Sequence, residues 1–395
     1  MSYQEKYLKY KNKYLSLKNL IGGAAPVPNQ ELFSPIEFVP EAVMGAEIFK
    51  NLKMKELLNL YLTGNKNIRD IIENTKFDFY KEPLPRNMSL RQFRNIFKSA
   101  IGINISKRQD ITDADFQFIR PTPPPIKHKI NNEIIVTEIQ GNMGEVKLNM
   151  TECRSITDAA FIYIKGIHTL DMMSCQQITD AAFVHLDGIH TLNMAELRQI
   201  TDAAFVHLKG VHILNMRNCN QITNSAFEHL KGIHTLDMSH CFQITDAVFE
   251  NLKGIQILNI NMNNQITDDA FVHLKGIHTL KMRGCRQITD YAFENLKGIQ
   301  ILTIWGCEQI TDTAFQYIKG IKELNIVACR QLTDAAFVHL KGLKLLDMSS
   351  CDQPTITVEG LRNLVGIEKI YMYDCRDSLI EAALFDLHFT ISYDY

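Results

Sequence analysis

A twelve-residue phrase, QITDAAFVHLKG (Gln199–Gly210), recurs down this chain at a fixed spacing. Its first apolar residue falls at Ile156, Ile178, Ile200, Ile222, Ile244, Ile266, Ile288, Ile310 and Leu332, 22 residues apart every time. A shifted copy follows at Ile356. An outlying copy stands at Ile111, where Ile103 and Ile105 take the slots of Leu236 and Met238. A strict period of this length predicts one supersecondary unit per repeat, stacked into an array. The array begins near residue 98, breaks, and resumes by Leu148.

Each unit changes its own period halfway. In HTLDMSHC (His234–Cys241) the apolar residues alternate, Leu236 then Met238, as in a short strand with one buried face. In the ITDAAF half they fall at helical spacing, as Ala204, Phe205 and Leu208 do. Thr201 is placed as an N-cap, Asp202 suits the positive end of a helix dipole, and Gly210 closes the turn. Neither half can bury its apolar side alone, so stacked neighbours must, which predicts a solenoid. Proline is missing between Ile126 and Gln353, as an uninterrupted strand ladder prefers.

The phrase L-x-M-x-x-C-x-Q-I-T-D resembles the leucine-rich repeat, in the cysteine-containing variety found in many F-box proteins, over residues 98–375. The resemblance implies an α/β fold: a leucine-rich-repeat solenoid, a curved horseshoe with parallel strands on its concave face. Ten stacked strands would span roughly 50 Å.

The chain has 395 residues, 46% of them hydrophobic, and a net charge of −2. That allows a large core and argues against general affinity for nucleic acid or an anionic membrane. No apolar run approaches the roughly 20 residues of a bilayer span, and no apolar h-region marks a secretory signal. All nine cysteines sit in one slot of the repeat, which Leu197 and Asn263 fill in two other units. Stacked slots point side chains in parallel, so neither disulfides nor a tetrahedral zinc site is expected. Reduced, packed thiols fit an intracellular setting. Most of the thirteen histidines are also repeat slots, and no catalytic motif is present. A non-catalytic binding subunit is the expectation, with no cofactor and no metal.

If the repeats are scaffold, function should lie where they differ. One outward strand column is mostly Asn and Asp from Asn149 to Asp347 but breaks at Lys281 and Thr303. The next column carries Arg217, Arg283 and the chain's only tryptophan, Trp305, with Arg286 in the following loop. Tryptophan and arginine are enriched in binding hot spots. Arg217, Lys281, Arg283, Arg286 and Trp305 are therefore the candidate target-binding set, suited to an acidic or phosphorylated segment.

Residues 1–21 place Tyr3, Tyr7, Tyr10, Tyr14, Leu17 and Ile21 on a heptad seam among lysines, predicting an amphipathic helix, and residues 22–30 read as a linker. This leader, with its Gly22-Gly23, resembles N-terminal segments of many proteins of giant amoeba-infecting viruses. That implies a viral protein acting in the cytoplasm, or the nucleus, of a host cell. Residues 31–78 resemble the F-box: Val39-Pro40-Glu41 opens it, Ile48, Phe49 and Leu52 match its I-F-x-x-L, and Glu56, Leu57, Leu60 and Leu62 match the next helix. One extra residue precedes Ile48, and Thr63–Asn67 lacks the family's tryptophan. The resemblance implies that Pro40, Ile48, Phe49, Leu52, Leu57 and Leu60 face a host Skp-type adaptor of a cullin–RING ubiquitin ligase, while the repeats hold an unknown target protein. The alternative is an interaction scaffold with no ligase link. Residues 79–97 read as an ordered connector, 120–131 as an extended proline-rich insertion, and 376–395 as a cap over the last repeat.

Overall fold

The computed structural model describes residues 49–121, 126–130, 133–137, 143–364, 366–385 and 390–391. The expected leader helix and linker, and Pro40 and Ile48, lie outside the described residues. The chain divides into two compact units between Leu170 and Asp171.

The first unit opens with helices α1 (Met54–Leu62) and α2 (Lys66–Asn74), preceded by a 3₁₀ turn at Phe49–Asn51. Where the F-box pattern would place a tryptophan, Gly64 takes φ +80° and the Asn65 side chain accepts a hydrogen bond from Ile68 N, starting α2. The stretch from residue 79 to 97 is more than a spacer. It contains α3 (Leu90–Ile96) and buries Phe79, Phe93 and Phe97 against Phe77, with ring centroids 5.0–5.9 Å apart. Its backbone covers the first strand of the array, β1 (Gly102–Asn104): Phe79 N donates to Gly102 O and Leu84 N to Asn104 O. The approach demands glycine at 102, because a Cβ there would lie 1.9 Å from Asp78 Oδ1. Arg94, 3% exposed, ties the connector to the first repeat by donating to the carbonyls of Phe97, Lys98, Ala100, Phe118 and Ile119. Burial without a carboxylate lowers its guanidinium to about 9.

Within the interruption of the array the described residues are two strands. Ile126–Ile130 (β2) and Glu133–Thr137 (β3) form an antiparallel hairpin pairing Ile126 with Thr137 and Ile130 with Glu133. Two β-favouring stretches, IKHKI and EIIVT, flank Asn131-Asn132, a residue pair suited to tight turns. β4 (Lys147–Asn149) pairs in parallel with β1, bringing Leu148 opposite Ile103.

In the second unit each repeat adds one three-residue strand. β5 (Thr169–Asp171) spans the divide, and β6 (Thr191–Asn193), β7 (Ile213–Asn215), β8 (Thr235–Asp237), β9 (Ile257–Asn259), β10 (Thr279–Lys281), β11 (Ile301–Thr303), β12 (Glu323–Asn325), β13 (Leu345–Asp347) and β14 (Lys369–Tyr371) follow. From β6 to β14 each strand pairs in parallel with the next, with no register slip. This is a leucine-rich-repeat solenoid. The return segment is 3₁₀ in most repeats, as at Asp202–His207, the tighter helix that short connecting pieces use. Gly210 closes it at φ +83°. Phe205, Phe227, Phe249, Phe271, Phe293 and Phe315, one per repeat, are all 0% exposed and form the spine of the core. At the far end, α4 (Asp334–Phe337) and α5 (Val358–Leu361) replace 3₁₀ turns, and α6 (Asp377–Phe385) follows β14. Ile391 then bridges Ile370, and Ile370 N donates to Thr390 O, so these two residues occupy part of the edge of β14.

The T-D of the repeat phrase does more than cap a helix. Thr201 Oγ1 accepts from Ala203 N, as an N-cap does. In addition, Thr289 N and Oγ1 donate to the two carboxylate oxygens of Asp268 in the previous repeat, at 2.8 and 2.6 Å. Asp246 receives Thr267, Asp290 receives Thr311 and Asp312 receives Thr333 in the same way. Where the aspartate is Asn224, its Oδ1 accepts from Thr245 N and its Nδ2 donates to Thr245 Oγ1. A second rail runs beside it: Gln265 Nε2 donates to Phe242 O, 2.6 Å away in the previous repeat. Repeats are thus stitched by charge-assisted side-chain bonds as well as by the sheet.

Candidate target-binding face

The strand ends explain most of the outward Asn and Asp column. Asn215 Oδ1 accepts from Arg217 N at 3.0 Å, Asp237 Oδ1 from Ser239 N at 2.9 Å and Asp347 Oδ1 from Ser349 N at 3.1 Å. These are Asx turns that bend the chain out of the strand. The next residue takes a left-handed conformation, Asn218 at φ 62° and His240 at φ 58°. The cysteine after it turns inward: Cys219, Cys241, Cys285 and Cys307 donate their thiols to the carbonyls of Met194, Met216, Ile260 and Met282, 3.1–3.3 Å away. Asn263 in the same slot reproduces this with Nδ2, 2.9 Å from Met238 O, and accepts from Cys241 N as well. Burial pushes the thiols up, to about 11 for Cys153 and Cys307 and about 12 for Cys219, Cys241, Cys285 and Cys351. They are neutral donors to backbone. Among the described residues no group of three or more His, Cys, Asp or Glu is arranged to hold a metal ion, and no helix is long and apolar enough to cross a membrane.

The histidine slots are structural as well. His190, His212 and His234 stack in a column with centroids 4.9 and 4.7 Å apart, and His190 and His234 each bond the neighbouring threonine hydroxyl.

β10 and β11 break this pattern. Lys281 replaces the Asx acceptor, and Arg283 N takes its hydrogen bond at 2.7 Å from Asn261 Oδ1 of the previous repeat instead. The left-handed position becomes glycine in these two repeats alone among the eleven from Glu152 to Asp374: Gly284 and Gly306, both at φ 67°. At Gly284 a Cβ would meet Met262 Sδ at 2.6 Å. The Arg283 guanidinium lies over the Trp305 ring, 3.4 Å from its centroid. Arg217, Lys281, Arg283 and Arg286 are exposed, and none makes an ion pair among the described residues. Arg286 stands to the side, in the loop whose carbonyl accepts from Gln309. Burial first, and then Arg217 and Arg283, push the His240 imidazole below its ordinary value. Both arginines therefore bear on the space around His240.

From Lys281 an open groove of about 550 Å³ crosses the strand face toward β14. Thr303, Ile301, Glu323, Leu345, Asp347, Tyr371 and Tyr373 line it. The two tyrosines were not among the candidates from sequence. The repeat there is two residues longer than the others, so a column counted at the strict 22-residue step ends at Ser349 and passes them by.

The four described residues of the F-box-like face sit differently. Phe49, Leu52, Leu57 and Leu60 are 2%, 6%, 0% and 7% exposed, and make up the interior of the helical module. The exposed apolar side chain of α1 is Leu62, at 74%.

Residues 140–256 and 222–345 match the BspA type leucine rich repeat region in six copies, a span of just over half the chain. The chain belongs to that family. No curated protein matches its sequence significantly. Among solved structures, it is similar to a chain of the yeast Rad7–Elc1 complex, with 15% identity and a TM-score of 0.52, covering 95% of this chain and 93% of that one. It is also similar to a chain of the mouse RP105/MD-1 complex, with 17% identity and a TM-score of 0.51, covering 77% of this chain and 52% of that one. At these identities the likeness is one of fold.

Proposed function

We propose that this chain captures a target protein on the strand face of its repeats and acts as the substrate-recognition subunit of an SCF-type ubiquitin ligase. The observation that carries the capture reading is the break at β10 and β11. There, unpaired Lys281 and Arg283 and the stacked Trp305 adjoin a groove, on a face whose Asn and Asp column elsewhere caps its own backbone. The ligase half rests on the F-box-like pattern of Phe49, Leu52, Leu57 and Leu60 directly ahead of the repeats, and on the fold likeness to a structure solved as a complex of Rad7 with Elc1. On this reading the chain acts inside a host cell with a host Skp-type adaptor as its partner, as the leader's resemblance to giant-virus proteins implies.

The burial of those same four residues favours the second reading, a capture scaffold with no ligase link. A pull-down of the full chain with a purified Skp-type adaptor separates the two. Alanine at Phe49 or Leu52 would disrupt the module itself, so the control is the surface change Leu62→Glu. Adaptor retained by the wild type and lost with Leu62→Glu is the expected result. A folded wild-type chain that retains none would leave the scaffold reading.

A further inference from the structure

We propose that the strand face from β7 to β14 is built for one extended peptide segment in two halves, acidic over β7–β10 and apolar over β11–β14. The inference rests on the target-capture reading above. Its first support is the spread of the cations. Arg217 on the β7 exit and Lys281 and Arg283 on β10 are exposed and unpaired among the described residues, three strand spacings apart, or about 14 Å. Cations gathered to bind a single phosphate converge on one point, within hydrogen-bond reach of its oxygens. These are strung out. In an extended chain the side chains on one face recur about every 7 Å, so several carboxylates in series match the spacing. Arg283 is preorganised for this role. Its flat face covers Trp305 at 3.4 Å, which leaves the edge N–H groups for a carboxylate.

The second support is that the charge reverses along the same face. Past Trp305 the groove is floored by Ile301 and Leu345 and closed by Tyr371 and Tyr373, the latter 62% exposed. Glu323 and Asp347 stand on it. Glu323 is exposed and without an ion pair among the described residues, and Asp347 Oδ2 accepts from Asn325 Nδ2 at 2.7 Å. Of the cations at this end, Lys344 is ion-paired with Glu368 and Lys369 lies 4.7 Å from the Tyr371 ring centroid. A ligand acidic throughout would be repelled here, whereas apolar and aromatic side chains fit. The two halves together cross seven strand spacings, roughly 34 Å, which about ten extended residues span.

The test is fluorescence anisotropy on the purified full chain with three labelled peptides of equal length, about twelve residues each. The first has a half of alternating Asp and Glu followed by a half of alternating Leu and Ser. The second is acidic throughout. The third has the apolar half and one phosphoserine. The first should bind at least about tenfold tighter than either of the others, with affinity falling as salt is raised. Lys281→Glu with Arg283→Glu should weaken it about tenfold or more, and Glu323→Lys should narrow the gap between the first and second peptides. Unchanged circular dichroism and melting temperature certify each variant's fold; Arg217→Glu, on a different repeat, serves if the double variant does not fold. Equal binding of the first two peptides, still lost in the double variant, would overturn the two-half segment while strand-face capture stands. The phosphopeptide binding as tightly as the first would likewise overturn it in favour of a phosphate site. Binding indifferent to both the double variant and Arg217→Glu, or no binding at all, would overturn this inference. Capture itself is judged separately, by whether Trp305→Ala releases a bound target.

Discussion

The exits of β8 and β10 occupy the same place in two repeats and do opposite things. At β8, Asp237 accepts from both Ser239 N and Ser239 Oγ, and its second oxygen takes Asn259 Nδ2 from the next repeat. Both carboxylate oxygens and the serine hydroxyl there have partners within the solenoid. At β10, Lys281 offers no acceptor, Arg283 N takes Asn261 Oδ1 instead, and the guanidinium stacks on the face of Trp305. The comparison teaches that a slot repeated down the array is one that satisfies backbone. A slot that breaks the column leaves donors facing outward, available to something else.

The largest effect expected comes from a slot that serves the backbone, the cysteines. Unperturbed thiols lose their protons near 9, whereas those of Cys219, Cys241, Cys285 and Cys351 hold theirs to about 12. Below pH 9 both folded and unfolded chains keep the proton and nothing changes. Above it the unfolded chain ionises first. Stability should therefore fall between about pH 9 and pH 12, by up to about 1.4 kcal/mol per pH unit for each buried thiol. Urea titrations across that range measure it, and a flat profile would refute it. Next in size is the contrast between the two kinds of aromatic. Phe271→Ala, in the spine, should cost about 3–5 kcal/mol, while half-buried Trp305→Ala should cost under about 1 kcal/mol and still abolish target binding. Denaturation midpoints paired with binding isotherms decide this, and a large stability loss at Trp305 would return it to the scaffold.

Smaller effects probe the stitching. Asp268→Ala strands Thr289 N and Oγ1 and should cost about 1–3 kcal/mol, whereas Asp268→Asn should stay within about 0.5 kcal/mol, because Asn224 already does this work one step of the ladder away from Asp246. Equal losses for both variants would show that charge, and not geometry, holds the ladder. The smallest change expected is a gain. Lys281→Asp restores the Asx acceptor to β10 and should stabilise the chain by about 0.5 kcal/mol while weakening binding of the acidic peptide. Calorimetry alongside anisotropy would show the two moving in opposite directions, and a stability loss would mean that the Arg283–Asn261 bond had already taken the acceptor's place.

Much of the fold could be read before any coordinates. The period, the strand at Leu236 and Met238, the turn-closing Gly210, the resumption of the array opposite Ile103, and the packed cysteine slot all follow from which residues recur and at what interval. The candidate site was legible in half: Lys281, Arg283 and Trp305 stand out because they interrupt a column, but Tyr371 and Tyr373 vanish behind a two-residue lengthening of the last repeat. The F-box-like pattern located Phe49, Leu52, Leu57 and Leu60 as apolar positions of one module. It could not say that all four turn inward.

Periodicity is a local property, and a repeat writes it directly into the chain. It set the strand, the return turn and the buried residues of every unit, because each follows from spacing within 22 residues. Pairings between units were decided only in three dimensions. Asp268 meets Thr289 and Arg283 covers Trp305 because stacking in strict register brings positions about one repeat apart within hydrogen-bond or ring distance. Whether an Asn or Asp serves its own backbone or faces a ligand depends on that register and on the twist of the strand exit, and neither is written in composition or period.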